Sequence, residues 1–263
     1  MKCCICGTVR NCAPYLEKVF KNIEKIGSLF DEYKIFLYYD NSTDNTINKI
    51  YEYGEKNNRL CVYINNDKLN KYRTFRIAKG RNKCLDYIIN NCSDYEYFIM
   101  MDMDSINCNG IDVDVIQKYL LSEDWDSLSF NRNCYYDLWA LSIYPYYLSC
   151  LHFNIVNAPD ILSNYINNLL KNIPPGELLK CASAFNGFAI YRTNKFLNCR
   201  YSGKFNLNLF PKKIIKNNIN LLGGNPDCSF IEDCEHRSFH LEAIKKNQAR
   251  IRISPEIVFP GTY

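Results

Sequence analysis

The apolar positions recur first at one spacing and then at another, and the alternation defines the opening hundred residues. Lys2–Gly7 is a short apolar run ending in glycine, and Pro14 stands where a helix can begin. Leu16, Val19, Phe20, Ile23 and Ile26 then repeat at helical spacing up to Gly27. Tyr33–Tyr39 reads as a second strand and Leu60–Ile64 as a third. Tyr97–Met101 reads as a fourth, apolar throughout as a strand covered on both faces must be. Between them, Asp40-Asn41-Ser42-Thr43-Asp44 is a polar turn that caps a helix, and Phe75–Asn90 is an amphipathic helix. Strands alternating with helices predict a parallel sheet with helices on both faces, a Rossmann-like α/β half.

After Asp104 the pattern loosens. It predicts a helix over Val113–Leu121, a strand over Asp126–Asn131 and a dense aromatic stretch from Tyr135 to Tyr147. A helix follows near Ile161–Lys171, a break at Pro174-Pro175-Gly176 and a strand over Ala184–Tyr191. The chain closes with a loop at Gly223-Gly224-Asn225-Pro226, a helix over Cys228–Lys246 and a strand over Ala249–Ile253. No internal repeat and no linker separates the halves. The expectation is one domain over 1–263, with residues 1–104 and 105–263 as two functional halves.

Composition narrows the class. With 263 residues, 47% of them hydrophobic, the chain can bury a full core without staples, which excludes disordered and low-complexity classes. The net charge of +4, from 32 basic and 28 acidic residues spread without a basic run, argues against a nucleic-acid coat or a polybasic membrane anchor. No apolar stretch reaches the length of a membrane span, and no signal-peptide pattern precedes Gly7. The 14 cysteines are dispersed, several inside apolar runs (Cys61, Cys84, Cys150, Cys181), which predicts buried free thiols in a reducing cytoplasm. Cys3-x-x-Cys6 reads as part of a core strand. The abundance of Asn, Ile, Lys and Tyr fits AT-rich coding, as in a large DNA virus (hence a host cytoplasm) or an AT-rich microbe.

Four groups of residues carry candidate chemistry. Asp102-Met103-Asp104 follows the buried fourth strand directly. Ligands collect beyond the carboxyl ends of such strands, and two hard oxygen donors there suit Mg²⁺ or Mn²⁺ bound with substrate phosphates. Arg81 lies in the apolar stripe Ile77, Ala78, Cys84, Leu85 and Ile88, so it needs an anionic partner; with Arg73 and Arg76 earlier on the helix, a diphosphate fits. Glu232-Asp233-Cys234-Glu235-His236-x-x-x-His240 places acids at a helix start and two histidines on one face. The acids would stay ionised for a general base, and the histidines have the spacing of metal ligands. Tyr135-Tyr136-Asp137-Leu138-Trp139 offers aromatic faces beside carboxylates, which suits sugars.

Taken together these residues resemble a GT-A-fold, nucleotide-sugar-dependent glycosyltransferase. The resemblance is carried by Gly7-Thr8-Val9-Arg10-Asn11, Asp40-Asn41-Ser42-Thr43-Asp44, Arg81-Asn82 and Asp102-Met103-Asp104. Later blocks, Tyr135–Leu141, Phe185-Asn186-Gly187-Phe188 and Cys234-Glu235-His236, are similar to a subgroup with viral, bacterial and cryptococcal mannosyltransferase-like members. The resemblance implies an α/β fold with a central, mostly parallel sheet and a smaller mixed acceptor-side half. It implies that Thr8, Arg10, Asp40, Asn41, Arg73, Arg81 and Asp102 hold a nucleotide-sugar donor. Tyr136, Asp137, Trp139, Asn186 and Gly187 would meet the sugar or acceptor. Asp104 and Asp102, with His236 or His240, would hold Mn²⁺ or Mg²⁺.

Breaking the anomeric C–O bond leaves a nucleoside diphosphate with added negative charge, which a divalent ion and Arg81 would stabilise. Asp233 or Glu235, with Glu232 beside them, would take the proton of the acceptor hydroxyl on a glycan or glycoprotein. Stereochemistry stays open. Two other readings share these features: a sugar-phosphate nucleotidyltransferase, and a non-catalytic carbohydrate-binding protein of the same fold. The single glycine after the first strand argues against the first, and the full set of acids argues against the second.

Overall fold

The computed structural model describes residues 1–68, 70–149, 152, 157–174, 176–224 and 229–261. Cys150, Pro175, Asn225, Pro226 and Cys228, named above, lie outside them.

Strand β1 (Lys2–Val9) is followed by helix α1 (Ala13–Gly27), β2 (Glu32–Tyr39), α2 (Thr46–Gly54), β3 (Leu60–Ile64), α3 (Arg73–Asn91) and β4 (Tyr97–Met101). The second half contains α4 (Val113–Leu120), β5 (Ser127–Asn131), α5 (Ala158–Asn172), β6 (Leu179–Cys181) and β7 (Phe188–Arg192). It ends with α6 (Lys212–Leu222), α7 (Glu235–Asn247) and β8 (Ile251–Ile257). Among the described residues these strands form one eight-stranded sheet in the order β3-β2-β1-β4-β7-β5-β8-β6. The first four are mutually parallel, β7 runs antiparallel to both β4 and β5, and β5 pairs parallel with β8.

Alternation along the strands decides which layer each side chain joins. Cys3, Ile5, Ile35, Leu37, Ile99 and Met101 point to α1, α2 and α4, where Leu16, Val19, Phe20, Ile23 and Ile26 of α1 are all buried. Each such side chain contributes about 1.5–3 kcal/mol. The intervening Cys4, Cys6, Phe36, Tyr38, Phe98 and Met100 point to α3 and α7. A third cluster, formed by α5, α6 and Tyr135–Leu148, covers the second half. Gly80 lets α3 lie close on the sheet: a Cβ there would stand 2.6 Å from Tyr38 Cδ1 and 2.7 Å from Thr8 Cγ2.

Several sequence expectations are corrected. The last helix begins at Glu235, because residues 229–234 are turn, bridge or extended, so Asp233 precedes the first helical turn. The strand expected over Ala184–Tyr191 begins at Phe188, since Asn186 and Gly187 adopt positive φ values of 55° and 82° that no strand accepts. The short strand β6 and the helix α6 had no strong periodic signal. Cys61 is exposed rather than buried because β3 is the sheet's edge strand; eight other described cysteines are buried free thiols, and Cys108, Cys134 and Cys181 are part-buried or exposed.

Candidate active site

From β1 the crossovers run outward to β2 and β3, and the chain then returns to place β4 on the other side of β1. The loops leaving β1 and β4 therefore part, which opens a crevice at the carboxyl ends of the strands. A cleft of about 200 Å³ lies there, lined by Thr8 and Arg10 after β1, Asp40 after β2, Arg73 on α3, and Asp102 and Asp104 after β4.

Asp40 forms one wall. Its carboxylate is buried, accepts a 2.9 Å hydrogen bond from Asn65 Nδ2 and lies 3.9 Å from Arg76 Nε. Arg10 Nε donates to the Asn41 carbonyl at 3.2 Å, which ties the two strand ends together. Asn65 was not singled out in the sequence, although it follows β3 as Asp40 follows β2 and the same strand-end rule points to it.

The opposite wall is organised by Arg81. This guanidinium is buried; its Nη2 donates to Asp102 Oδ1 at 3.0 Å, and its Nε lies 2.8 Å from Glu235 Oε1 as an ion pair in which the N–H is not aimed at that oxygen. It also lies over the Phe185 ring at 4.4 Å. Burial works against the charge, but Glu235 and Asp102 outweigh it and hold Arg81 above its ordinary pKa. Burial raises the Glu235 pKa, and Arg81 opposes the rise.

Asp104 accepts from the Ile106 amide at 3.1 Å, and burial together with the neighbouring Asp102 charge pushes its pKa up to about 6. Burial, then Asp102, likewise lifts Asp137 to about 6.

Asn186 acts through its side-chain amide and Gly187 through its carbonyl. Asn186 Oδ1 accepts from the amides of Tyr136 and Asp137, both at 3.2 Å, and its Nδ2 donates to Phe130 O. The Gly187 carbonyl accepts from the Asp102 amide at 2.9 Å and from Asn107 Nδ2 at 2.7 Å. Asn107 also donates to the Asp102 carbonyl, and its Oδ1 accepts from Arg132 Nη2. Neither Asn107 nor Arg132 stood out in the sequence; no local pattern marks a clamp whose parts meet only in three dimensions. The clamp brings the Tyr136 hydroxyl to 3.4 Å from Asp102 Oδ2. Trp139 is half-buried against the core below α3 and α7.

The late acids separate into three environments. Glu232 Oε1 accepts from the Thr74 amide at 2.8 Å and from its hydroxyl at 3.0 Å, capping the start of α3. Asp233 is buried against Arg237, whose Nε lies 3.2 and 3.1 Å from its two oxygens. The same guanidinium donates to the carbonyls of Leu141 and Trp139, so this pair anchors the aromatic segment. Only Glu235 reaches the Arg81–Asp102 wall. His236 and His240 are not brought to Asp102 and Asp104: they are buried in the core, where His236 stacks on Phe185 at 3.8 Å and His240 Nδ1 lies 3.0 Å from Ser183 Oγ. Burial and the nearby Arg81 charge hold His240 down at about 3, the neutral form that this apolar packing requires.

The donor chemistry of Asp102 and Asp104 fits a hard divalent cation. Two carboxylates share the cleft, and burial and the Asp102 charge together push Asp104 towards its protonated form. Among the described residues no cluster of three or more His, Cys, Asp or Glu side chains is present. An ion here would therefore draw its remaining ligands from phosphate oxygens and water, as Mg²⁺ and Mn²⁺ commonly do.

No protein-family model and no curated protein sequence matches the chain. Among solved structures it is similar to the S. aureus TarS fragment 1–349, with a TM-score of 0.51 and 14% identity over 98% of this chain and 59% of that one. The same fragment in complex with UDP-GlcNAc gives a TM-score of 0.51 and 14% identity over 98% and 57% of the two chains. The mannosyltransferase PcManGT from Pyrobaculum calidifontis, in complex with GDP-Man and Mn²⁺, has a TM-score of 0.46 and 13% identity over 96% and 56%. The chain thus spans about 59% of the length of the TarS fragment. The likeness is one of fold, and the fold is GT-A.

Proposed function

We propose that the chain is a metal-dependent glycosyltransferase that moves a sugar from a nucleoside-diphosphate sugar to an acceptor hydroxyl on a glycan or glycoprotein. The observation that carries this reading is the wall in which one buried guanidinium, Arg81, joins Asp102 at the strand end to Glu235 at the start of α7. Asp40, steadied by Asn65, meets the base or ribose of the donor. Arg73 and Arg76 line the cleft and face the diphosphate, while the buried Arg81 acts behind it by holding Asp102. A Mn²⁺ or Mg²⁺ ion held by Asp104 and Asp102 would supply positive charge to the leaving diphosphate.

Glu235 is the base of choice among the three late acids. Asp233 has both oxygens engaged by Arg237, and Glu232 is occupied at Thr74. Burial raises the Glu235 pKa and makes it a stronger base than a solvated carboxylate, while Arg81 opposes the rise. Asp137 and Tyr136, set by Asn186, face the same wall and offer hydrogen bonds to sugar hydroxyls. The free thiols among the described residues support a cytoplasmic setting.

A thermal-shift panel of nucleoside diphosphates and nucleotide-sugars, with and without Mn²⁺, tests the reading on wild type and Asp104→Asn. Stabilisation by one nucleotide, present only with metal and lost in the variant, is the expected result; it is about 2.7 kcal/mol at a hundredfold excess over Kd. No response to any donor sinks it. A response to nucleoside triphosphates with sugar phosphates, and none to nucleotide-sugars, would move the reading to a nucleotidyltransferase.

A further inference from the structure

Two buried side-chain nitrogens, Arg81 Nε and His236 Nε2, have no hydrogen-bond partner among the described residues, and both face one oxygen. Glu235 Oε1 lies 2.8 Å from the first and 3.7 Å from the second. A polar atom left unpaired in a core is costly, and this carboxylate is the acceptor nearest to hand for both. Phe185 stacks on the His236 ring at 3.8 Å and Tyr201 meets it edge-on at 5.3 Å, which fixes the plane of the ring. Only the position of the ring proton is then free.

The other nitrogen of His236 leads into a series of polar groups. His236 Nδ1 lies 3.5 Å from the Tyr191 hydroxyl, that hydroxyl lies 3.2 Å from His240 Nε2, and His240 Nδ1 lies 3.0 Å from Ser183 Oγ. Ser183, Tyr191 and both histidines are buried. Burial, then the Arg81 charge, keeps both imidazoles neutral. Each ring therefore has one N–H and one bare nitrogen, and each hydroxyl has one proton to give. With the links in series, the direction of one fixes the rest. Ser183 can donate or accept, so it makes no choice. An ionised carboxylate can only accept, and Glu235 must be ionised to act as a base. His236 Nε2 then carries the proton, and His236 Nδ1 accepts from the Tyr191 hydroxyl. The Tyr191 oxygen accepts in turn from His240 Nε2, and His240 Nδ1 accepts from Ser183. A proton resting on Glu235 Oε1 would reverse every link and put both ring protons on Nδ1.

We propose that His236 is a positioning residue for Glu235, held as its Nε2–H tautomer by the series Ser183, His240 and Tyr191. Its N–H and the Arg81 guanidinium both address Oε1, which leaves Oε2 to take the proton of the acceptor hydroxyl. This role rests on the reading of Glu235 as the base. The two histidines, spaced as metal ligands are, thus reach the chemistry through a carboxylate and not through a cation. After transfer, a proton on Oε2 leaves Oε1 able to accept from His236, so the series keeps its direction.

The test is a long-range ¹H–¹⁵N correlation spectrum of the histidine rings in the full chain at neutral pH, which reads each tautomer directly. The chain has three histidines, and His236→Gln and His240→Gln assign the signals. No donor is added, so a wrong tautomer is told apart from a failure of the sugar-transfer reading. The expected result is Nε2–H in both His236 and His240; Nδ1–H in either ring overturns the proposal. Tyr191→Phe removes the middle link and keeps an aromatic ring in place. In that variant His236 is expected to stay Nε2–H while His240 shifts toward Nδ1–H, facing Ser183. His236→Leu is expected to lower kcat roughly ten- to a hundredfold with the donor KM unchanged. His236→Gln, whose amide can place an N–H where Nε2–H stood, is expected to recover most of that loss. If His236→Leu unfolds, Tyr191→Phe takes its place in the kinetic comparison. An unchanged kcat in the variant that lacks the donor, or an equal loss in His236→Gln and His236→Leu, would reduce His236 to a packing residue and overturn the proposal.

Discussion

Arg81 and Glu235, far apart in sequence, meet at 2.8 Å behind the cleft, and Arg81 also holds Asp102 at 3.0 Å. One guanidinium therefore balances two carboxylates, one of them almost fully buried. The pairing places the proposed base and the first acid of the D-x-D segment on a single rigid group.

Replacing Arg81 by leucine strands the Glu235 carboxylate in the interior. The expected cost is about 3–5 kcal/mol of stability, read by urea denaturation. Arg81→Lys keeps the charge but cannot reach both acids with a planar fork, so it is expected to recover only part of the stability and less of the turnover. Full activity in Arg81→Leu would contradict the assigned geometry.

Asp233 and Glu235 are two positions apart yet predict opposite phenotypes. Asp233→Asn leaves Arg237 without its carboxylate and is expected to lower the unfolding temperature while donor affinity in the folded fraction stays near wild type. Glu235→Gln is nearly isosteric and is expected to lower kcat by about 10²–10⁴ with donor binding retained. An unchanged kcat in Glu235→Gln would move the base elsewhere.

Asp137 gives a pH signature. Its folded pKa, about 6, lies above that of an unfolded aspartate, so the native state binds the proton more tightly. Its contribution is complete below about pH 4 and is lost as the pH rises through about 6. Denaturation across pH 4–7 should show this decline in the unliganded chain, added to the like contribution of Asp104. Asp137→Asn should flatten the slope and be the more stable protein at neutral pH; an unchanged slope would refute the burial argument.

Gly187 tolerates no side chain. Its φ is +82°, and a Cβ would stand 2.5 Å from Ile106 Cγ2 and 2.8 Å from the Tyr136 hydroxyl. Gly187→Ala is expected to cost about 1–3 kcal/mol and to raise KM for the donor by displacing Tyr136 from Asp102. Thermal unfolding and a donor titration read the two effects separately.

Periodicity made the first half legible. Strands β1 to β4 and helices α1 and α3 appear in the spacing of Leu16, Val19, Ile23, Ala78, Leu85 and Ile88, because a face buried against a sheet must be apolar at the period of its element. Asp102 and Asp104 were visible for the same reason: they end a run that only a buried strand explains. Strand β6, helix α6 and the late start of α7 were not, since short or half-exposed elements repeat too few apolar positions to stand out.

The sequence by itself determined the layered α/β architecture and the acids and guanidinium at the ends of its elements. Tertiary structure alone decided what each late side chain does. Local spacing treats Glu232, Asp233 and Glu235 alike, but their partners are Thr74, Arg237 and Arg81, which come from different parts of the chain. Spacing likewise set His236 and His240 on one helix face without telling whether that face meets the cleft or the core. Burial among Phe185, Tyr191 and Ser183 settled it, because a face's environment depends on what packs against it.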